Sequence, residues 1–219
     1  MWFDILLQVA MILSFVFMFL WMHDVPRKFF INLHFRRNRS KYEAKRRFVR
    51  GAQLLAQAKS SNDLTLAKAA ETEAEAGIDL DPSDAVTHIL KALALDFQGF
   101  KTSALSSIDA ALSPLAIKSL SDEERADALF KRAELRLEVS RIGRRLDDSG
   151  GVDSSAVEED LLEAVRLRPK NTKAWCLLGQ CREAKAMREE AKAAFEEALK
   201  VDPNCETARE GLDRLGSQA

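Results

Sequence analysis

The chain has 219 residues, of which 47% are apolar and 31% charged, proportions typical of a folded protein. Its 9 Gly and 5 Pro are few for a β fold with many tight turns, whereas the good helix formers Ala, Leu, Glu, Lys and Arg are abundant. The net charge of −1 hides an asymmetry, because residues 23–50 carry +8 and the residues after 50 carry −8. Composition therefore excludes collagen-like, disordered and β-sandwich proteins and favours an all-α fold.

The first segment of the chain is apolar. Residues 5–22 contain no charged side chain, and Trp2 and Trp21 stand at the two ends, where aromatic rings prefer a membrane interface. We therefore predict that residues 1–22 form a transmembrane signal-anchor helix. A cleaved signal peptide is an alternative, but no Lys or Arg precedes the stretch and no small-x-small cleavage site follows it. A buried core helix is another, but the apolar residues surround the helix instead of forming one stripe.

The basic segment 23–50 follows the apolar stretch directly, as a juxtamembrane neck. The positive-inside rule then places residues 23–219 in the cytosol. The membrane would be that of the endoplasmic reticulum or the outer membrane of a mitochondrion or plastid, and hydropathy does not distinguish these. Aromatic residues among the basic ones favour contact with anionic lipid. Nucleic-acid binding, a nuclear signal and a simple topology determinant are alternatives. The residues predicted to face lipid are Arg36, Arg37, Arg39, Lys45, Arg46 and Arg47.

The chain has three cysteines, Cys176, Cys181 and Cys205. A disulfide framework would have more cysteines and an even number of them. These three indicate a reducing compartment for the body of the chain. The spacing of five between Cys176 and Cys181 is also poor for a pair of metal ligands on a helix.

The strongest pattern in the chain is a 34-residue unit, Thr172 to Cys205. Small and large apolar residues alternate in it at helical spacing, and Asp202-Pro203 predicts the end of its second helix, because proline cannot continue one. This unit resembles a tetratricopeptide repeat at seven of eight signature positions, with Arg182 in place of the usual Tyr. The seven positions are Trp175, Leu178, Gly179, Ala191, Phe195, Ala198 and Pro203.

Weaker copies of the same pattern precede this unit. Residues 51–84 and 85–118 are two degenerate repeats of the same length, and residues 126–171 form a third with an inserted flexible segment at 141–155. Residues 206–219 are predicted to be a capping helix and tail, since a terminal repeat needs a polar outer cover. The sequence thus predicts about four helical hairpins over residues 51–205.

The resemblance implies an all-α solenoid of helical hairpins, preceded here by the predicted transmembrane helix. It also implies that the first helices of the hairpins line a concave groove that takes a peptide or a helix. The alternative is that the apolar residues of these helices are core and the charged ones are solvated. The candidate groove residues are Val86, Ile89, Leu93, Phe130, Lys131, Glu134, Lys173, Cys176 and Gln180.

Motifs of enzyme chemistry are missing from the sequence. It contains no glycine-rich phosphate loop, no HExxH or CxxC motif, and no suggestion of a Ser-His-Asp or Cys-His set. We therefore expect neither an enzyme nor a cofactor or metal. Nucleic acid is not an expected partner either, because the −8 body repels phosphate.

The features together predict a membrane-anchored, cytosol-facing adaptor that holds a partner protein at a membrane. The alternative is a structural or assembly subunit of a stable membrane complex. Some proteins of the resembled family bind the C-terminal tails of heat-shock chaperones through a clamp of Lys, Asn and Arg. Here Leu90 and Leu177 stand where that clamp has Asn and Arg, so the sequence does not predict chaperone-tail binding.

Overall fold

The computed structural model of the chain describes residues 2–22, 25–145 and 154–217. These ranges contain no strand, and their α-helices follow one another with short connections. A single 3₁₀ turn, Ile117–Ser119, lies between the fifth and sixth helices. The helices are α1 (Trp2–Met22), α2 (Val25–Ser61), α3 (Leu64–Leu80), α4 (Ala85–Phe97), α5 (Lys101–Ala111), α6 (Asp122–Arg145), α7 (Ser154–Leu167), α8 (Thr172–Ala184), α9 (Arg188–Val201) and α10 (Glu206–Ser217).

Successive helices pair into hairpins that stack in chain order. The pairs are α2 with α3, α4 with α5, α6 with α7 and α8 with α9, and α10 packs on the last pair. Each hairpin also contacts the next one along the chain, as α3 does α4 and α7 does α8. This neighbour-to-neighbour packing is that of a helical solenoid.

Side chains in the turns determine where several helices begin. The Asp63 carboxylate accepts a hydrogen bond from the backbone N–H of Thr65 at 2.8 Å, which caps α3. The Asn171 side chain accepts one from Ala174 and caps α8 in the same way. At the start of α6, the Ser121 hydroxyl and the Glu124 carboxylate bond each other's backbone N–H groups. Each cap satisfies donors that the first turn of a helix leaves unpaired.

Alanine supplies most of the buried apolar positions in the described chain, and larger buried side chains are few. Ala70, Ala104 and Ala133, for example, are fully buried between helices. Small side chains at helix contacts allow the helix axes to approach closely. The hairpins are thus held by close helix contact, with Phe195 as the largest fully buried side chain among the described residues.

The first hairpin includes residues that the sequence analysis assigned to the basic neck. The Ser40 hydroxyl donates to the Leu80 carbonyl at 2.7 Å, and Ala44 is only 2% exposed against α3. Gly77 lies close to Ala44 and to Thr87 of the next hairpin. Residues 40–50 are therefore part of the packed first hairpin, and not only of a connecting segment.

A buried ion cluster joins α6 to α7. Asp160 on α7 is 4% exposed, and its carboxylate accepts hydrogen bonds from Arg132 at 2.9 Å and from Arg136 at 2.7 Å, both on α6. Arg136 also donates to the Ala156 carbonyl, and Arg132 reaches Asp109 on α5 at 3.3 Å. The buried Asp160 carboxylate is thus paired and hydrogen-bonded, and Arg132 extends the cluster to Asp109, so that it joins α5, α6 and α7.

The prediction of a transmembrane helix is wrong. Crossing the hydrocarbon core takes about 20 consecutive apolar residues, and the predicted span relied on a shorter uncharged run, residues 5–22. No helix within the described residues has both the length and the apolar character needed to cross a membrane. The single-pass topology and the assignment to the endoplasmic reticulum or to a mitochondrial or plastid outer membrane are withdrawn with it.

The predicted insertion at 141–155 falls mostly outside the described residues. Its first residues continue α6 to Arg145, and its last ones begin α7 at Ser154. The helical hairpin α6–α7 therefore contains more residues than the hairpins that follow and precede it, α8–α9 and α4–α5. Its connection lies outside the described residues.

Candidate functional site

Two grooves on the first helices of the hairpins, α2, α4, α6 and α8, contain most of the predicted groove residues. We call the first, between α2 and α4, the apolar groove; it has a volume of about 300 Å³. The second lies along α6, α8 and the two turns that precede α8 and α10; we call it the polar groove, and its volume is about 750 Å³. Eight of the nine predicted groove residues line one of these two surfaces.

The apolar groove contains three of the predicted residues, Val86, Ile89 and Leu93, which share one face of α4. The facing wall comes from α2, with Phe48 and Leu55 among its members. This wall was not predicted: Phe48 was assigned to the neck, and no groove residue was named in the weak repeat 51–84, which contains Leu55. The remaining lining residues are Ala52, Ala56, Lys59 and Leu90.

The polar groove contains five predicted residues. Phe130 and Glu134 come from α6, and Lys173, Cys176 and Gln180 come from α8 at the spacing of one helical face. Further residues of α6 and α8, residues of the connecting turns and one residue of α10 complete its lining and were not predicted. A helix-face pattern does not extend into turns, so those that lie in turns could not be found in this way. These additional residues are Asp127, Arg168, Lys170, Asn171, Thr172, Leu177, Asp202, Cys205 and Thr207.

One edge of the polar groove is held by an ion pair. The Arg168 guanidinium donates to both carboxylate oxygens of Asp127, at 2.7 and 2.8 Å. Both side chains are substantially exposed, so the pair orients the groove edge more than it stabilises the fold.

The ninth predicted residue, Lys131, lines neither groove. Its ammonium lies 2.8 Å from Asp96 on α4 and 3.1 Å from Glu134. Burial alone would lower the pKa of Lys131, but the bond to Asp96 and the nearby Glu134 outweigh burial and raise that pKa. Lys101 on α5 also contacts Asp96. The two lysines therefore share one carboxylate, and this cluster holds α4, α5 and α6 together.

Two thiols meet in the wall of the polar groove. The Sγ atoms of Cys176 on α8 and Cys205 in the turn before α10 are 3.3 Å apart. Burial, and then the hydrogen bond with Cys205, raise the pKa of Cys176 to about 12. The Cys176 thiol therefore stays protonated at neutral pH. No group of three or more His, Cys, Asp or Glu side chains in the described ranges is arranged to hold a metal ion.

The predicted neck residues are distributed differently. The side chains of Arg36 and Arg37 lie outside the described part of the chain. Arg39, Lys45 and Arg46 are exposed on α2. Arg47 is half-buried, and its guanidinium lies 2.9 Å from the Glu73 carboxylate on α3, so it contributes to hairpin packing.

Comparison with known proteins identifies the last hairpin. The family described as tetratricopeptide repeat matches residues 172–205, which are α8, α9 and the turn that follows them. The match to that family covers this last hairpin and no other part of the chain. No curated protein matches the chain.

Solved structures show a similar fold over about three quarters of the chain. The Cut9–Hcn1 hetero-tetramer of APC/C superposes with a TM-score of 0.59 at 14% identity, over 75% of this chain and 29% of that one. The pilF protein of Pseudomonas aeruginosa superposes with a TM-score of 0.57 at 18% identity, over 78% of this chain and 70% of that one. YrrB, described as a TPR protein with an unusual peptide-binding site, superposes with a TM-score of 0.50 at 18% identity. The superposition covers 74% of this chain and 80% of that one. The described chain is thus an all-helical solenoid of the tetratricopeptide type.

The predicted signature residues lie in α8, α9 and the turn that follows α9. Gly179, Ala191, Phe195 and Ala198 are buried between α8, α9 and α10. Leu178 is buried on the other side of α8, in the cluster that includes side chains of α7. In the same repeat Trp175 is half-buried, and Pro203 is exposed in the turn after α9. Arg182, which replaces the usual Tyr, donates to the Glu158 carboxylate of α7 at 3.0 Å. The substitution therefore exchanges an aromatic contact for an ion pair with the preceding hairpin.

Proposed function

We propose that this chain is a protein-interaction adaptor that binds a peptide segment or a helix of a partner protein along the first helices of its hairpins. The observation that carries the proposal is the polar groove, in which residues of α6, α8 and two turns converge on one surface. Its volume of about 750 Å³ is within the range of ligand sites, about 300–1,000 Å³. The peptide-binding site named for YrrB, which has the same fold, also supports the proposal.

The two grooves favour different parts of one ligand. The apolar groove, at about 300 Å³ and lined almost wholly by aliphatic and aromatic side chains, suits one or two apolar side chains. The polar groove offers the Gln180 amide, the Asn171 amide and the exposed Lys173 ammonium. These groups suit peptide backbone and acidic side chains, because they supply hydrogen-bond donors around the Phe130 ring. We propose no catalytic step for this surface.

The first experiment selects ligands from a random peptide library displayed on phage, using the full chain as bait. Selected peptides are synthesised and their affinities measured by isothermal titration calorimetry. We expect Lys173→Glu to weaken binding of acidic peptides by about tenfold or more, which is the effect of losing one favourable charge contact. Gln180→Trp should weaken binding of every groove ligand, because an indole would fill the space beside Phe130.

A matched control lies in the same tetratricopeptide repeat. Lys192 is exposed on α9, and the polar groove does not include it. Lys192→Glu makes the same change of charge as Lys173→Glu and should leave affinity unchanged. Equal losses in the two variants would indicate a general charge effect. Full affinity in Gln180→Trp, with its helix content intact by circular dichroism, would exclude the polar groove as the binding site.

A further inference from the structure

The two thiols in the wall of the polar groove are arranged for a covalent link. Cys176 is 6% exposed on α8, and Cys205 is half-buried in the turn between α9 and α10. Their sulfur atoms are 3.3 Å apart, and both face the polar groove. The chain between them contains the whole of α9.

The remaining distance is small. A disulfide has an S–S length of about 2.05 Å, so the two sulfur atoms need to approach by about 1.3 Å. Cys205 lies in a four-residue turn, where its backbone N–H bonds the Asp202 carbonyl at 3.1 Å, and a turn adjusts more readily than a helix. We propose that Cys176 and Cys205 form a reversible disulfide that fastens the turn before α10 to α8, within the wall of the polar groove.

The reaction balances with a peroxide as oxidant. The Cys205 sulfur, which is the more exposed of the two, attacks one oxygen of hydrogen peroxide and becomes a sulfenic acid, and one water leaves. The Cys176 sulfur then attacks the Cys205 sulfur, the S–O bond breaks, and the Cys176 proton leaves with the hydroxide as a second water. Two thiols are thereby oxidised to one disulfide, and the peroxide is reduced to two waters. A dithiol reductant reverses the step by exchange.

Cys181 provides an internal comparison. It is on the same helix as Cys176, but five residues later, so it faces away from Cys205 by well over a right angle. It packs against the cluster of Val157, Leu161 and Leu178, on the side of α7. Burial raises the pKa of the Cys181 thiol as it raises that of Cys176, so it is the position of Cys181, away from Cys205, that sets it apart. Cys181 is therefore expected to remain a free thiol.

The link would also constrain the end of the solenoid. A disulfide that closes the segment from 176 to 205 reduces the freedom of the unfolded chain. We expect the oxidised full chain to melt about 5 °C or more above the reduced one. This inference does not depend on the proposed function, because it concerns the thiols alone.

The test uses the full chain, fully reduced with dithiothreitol, desalted and then treated with hydrogen peroxide. Peptide mapping by mass spectrometry should find Cys176 linked to Cys205 with a loss of about 2 Da, and thiol titration should find Cys181 alone still free. Cys181→Ser should form the same link, and dithiothreitol should remove it. Cys205→Ser should form no intramolecular link and should show no rise in melting temperature.

Several results would overturn the proposal. They are a wild-type chain that keeps all three thiols after oxidation, a link that includes Cys181, or disulfide-bonded dimers on a non-reducing gel in place of the intramolecular product. Because peptide mapping is performed on the wild-type chain, the result does not depend on any variant folding.

Discussion

The ring of Phe195 lies directly against the bare Cα of Gly179. A Cβ placed on Gly179 would be 2.6 Å from Cε1 of that ring, and one placed on Gly211 would be 2.6 Å from its Cζ. Phe195 on α9 is fully buried, so α8 and α10 contact the ring at two glycines. The last tetratricopeptide repeat and the capping helix are therefore fitted around one aromatic side chain.

We expect Gly179→Ala and Gly211→Ala each to destabilise the chain by about 1–3 kcal/mol. The added methyl group would overlap a buried ring that has no open space to enter, and this cost exceeds the gain that alanine brings to a helix. Urea denaturation followed by circular dichroism measures the change in the free energy of unfolding.

Gly216 is the control for these two changes. A Cβ on Gly216, near the end of α10, meets nothing within 4 Å. Gly216→Ala should therefore leave stability unchanged or raise it slightly. Stability loss of the same size at all three glycines would show that the Phe195 contact does not explain the effect.

The buried ion cluster of Asp160 gives a second prediction. Asp160→Ala should cost about 3–5 kcal/mol, because it leaves the Arg132 and Arg136 guanidinium groups without their buried carboxylate. Asp127→Ala removes a carboxylate from an equally close but exposed pair with Arg168 and should cost about 0–1 kcal/mol. Both free energies come from the same denaturation experiment. Similar values for the two variants would contradict the role assigned to burial.

Acid should weaken the contact between α7 and α8. The Glu158 carboxylate accepts hydrogen bonds from Lys185 at 2.8 Å and Arg182 at 3.0 Å. The bond from Lys185 is the largest cause that lowers the pKa of Glu158 below its ordinary value of 4.5, and burial opposes it only in part. Since the folded-state pKa is lowered, the contribution of Glu158 to stability is complete above pH 4.5 and is lost as the pH falls through the folded-state value.

The corresponding measurement compares unfolding at several pH values from about 6 to about 3. Glu158→Gln should lower stability near neutral pH and flatten the dependence on pH, because its side chain does not titrate. Glu196→Gln, on the exposed face of α9, should keep the wild-type slope. A wild-type slope in Glu158→Gln would mean that other carboxylates cause the loss in acid.

Trp175 is tied to the turn before its own helix. Its indole N–H donates to the Pro169 carbonyl at 2.8 Å. Trp175→Phe keeps an aromatic ring and removes the donor, so we expect a loss of about 0.5–1.5 kcal/mol, near the lower end because the carbonyl is exposed to water. Trp175→Ala should cost more, since it also removes the packing of the ring. Equal losses in the two variants would assign the whole effect to the hydrogen bond.

The sequence predicted the last repeat best, because its packing uses small and large residues at fixed positions. The resemblance to a tetratricopeptide repeat placed Gly179 and Phe195 between two antiparallel helices, and the structure brings them into contact. The start of the first hairpin could not be placed, because exposed basic residues such as Lys45 and Arg46 surround Ala44, which is the buried one. The basic residues made this part of α2 look fully exposed, so the face that packs on α3 could not be recognised from the sequence.

The candidate site shows the same limit. Spacing along α8 placed Lys173, Cys176 and Gln180 on one surface, since a helix repeats its faces regularly. Spacing could not show that Lys131 meets Asp96, which belongs to another hairpin. Nor could it bring Cys205 to Cys176, because that contact depends on the turn geometry after α9.

The alanine-rich interior affects where conformational entropy is lost. Alanine has no side-chain rotamers to restrict, so packing these helices orders few side chains. Side chains with many rotamers, such as Lys173 and Gln180, lie in the polar groove and not between the helices. Folding therefore leaves most of their freedom intact, and a ligand that orders them would bear that entropic cost when it binds.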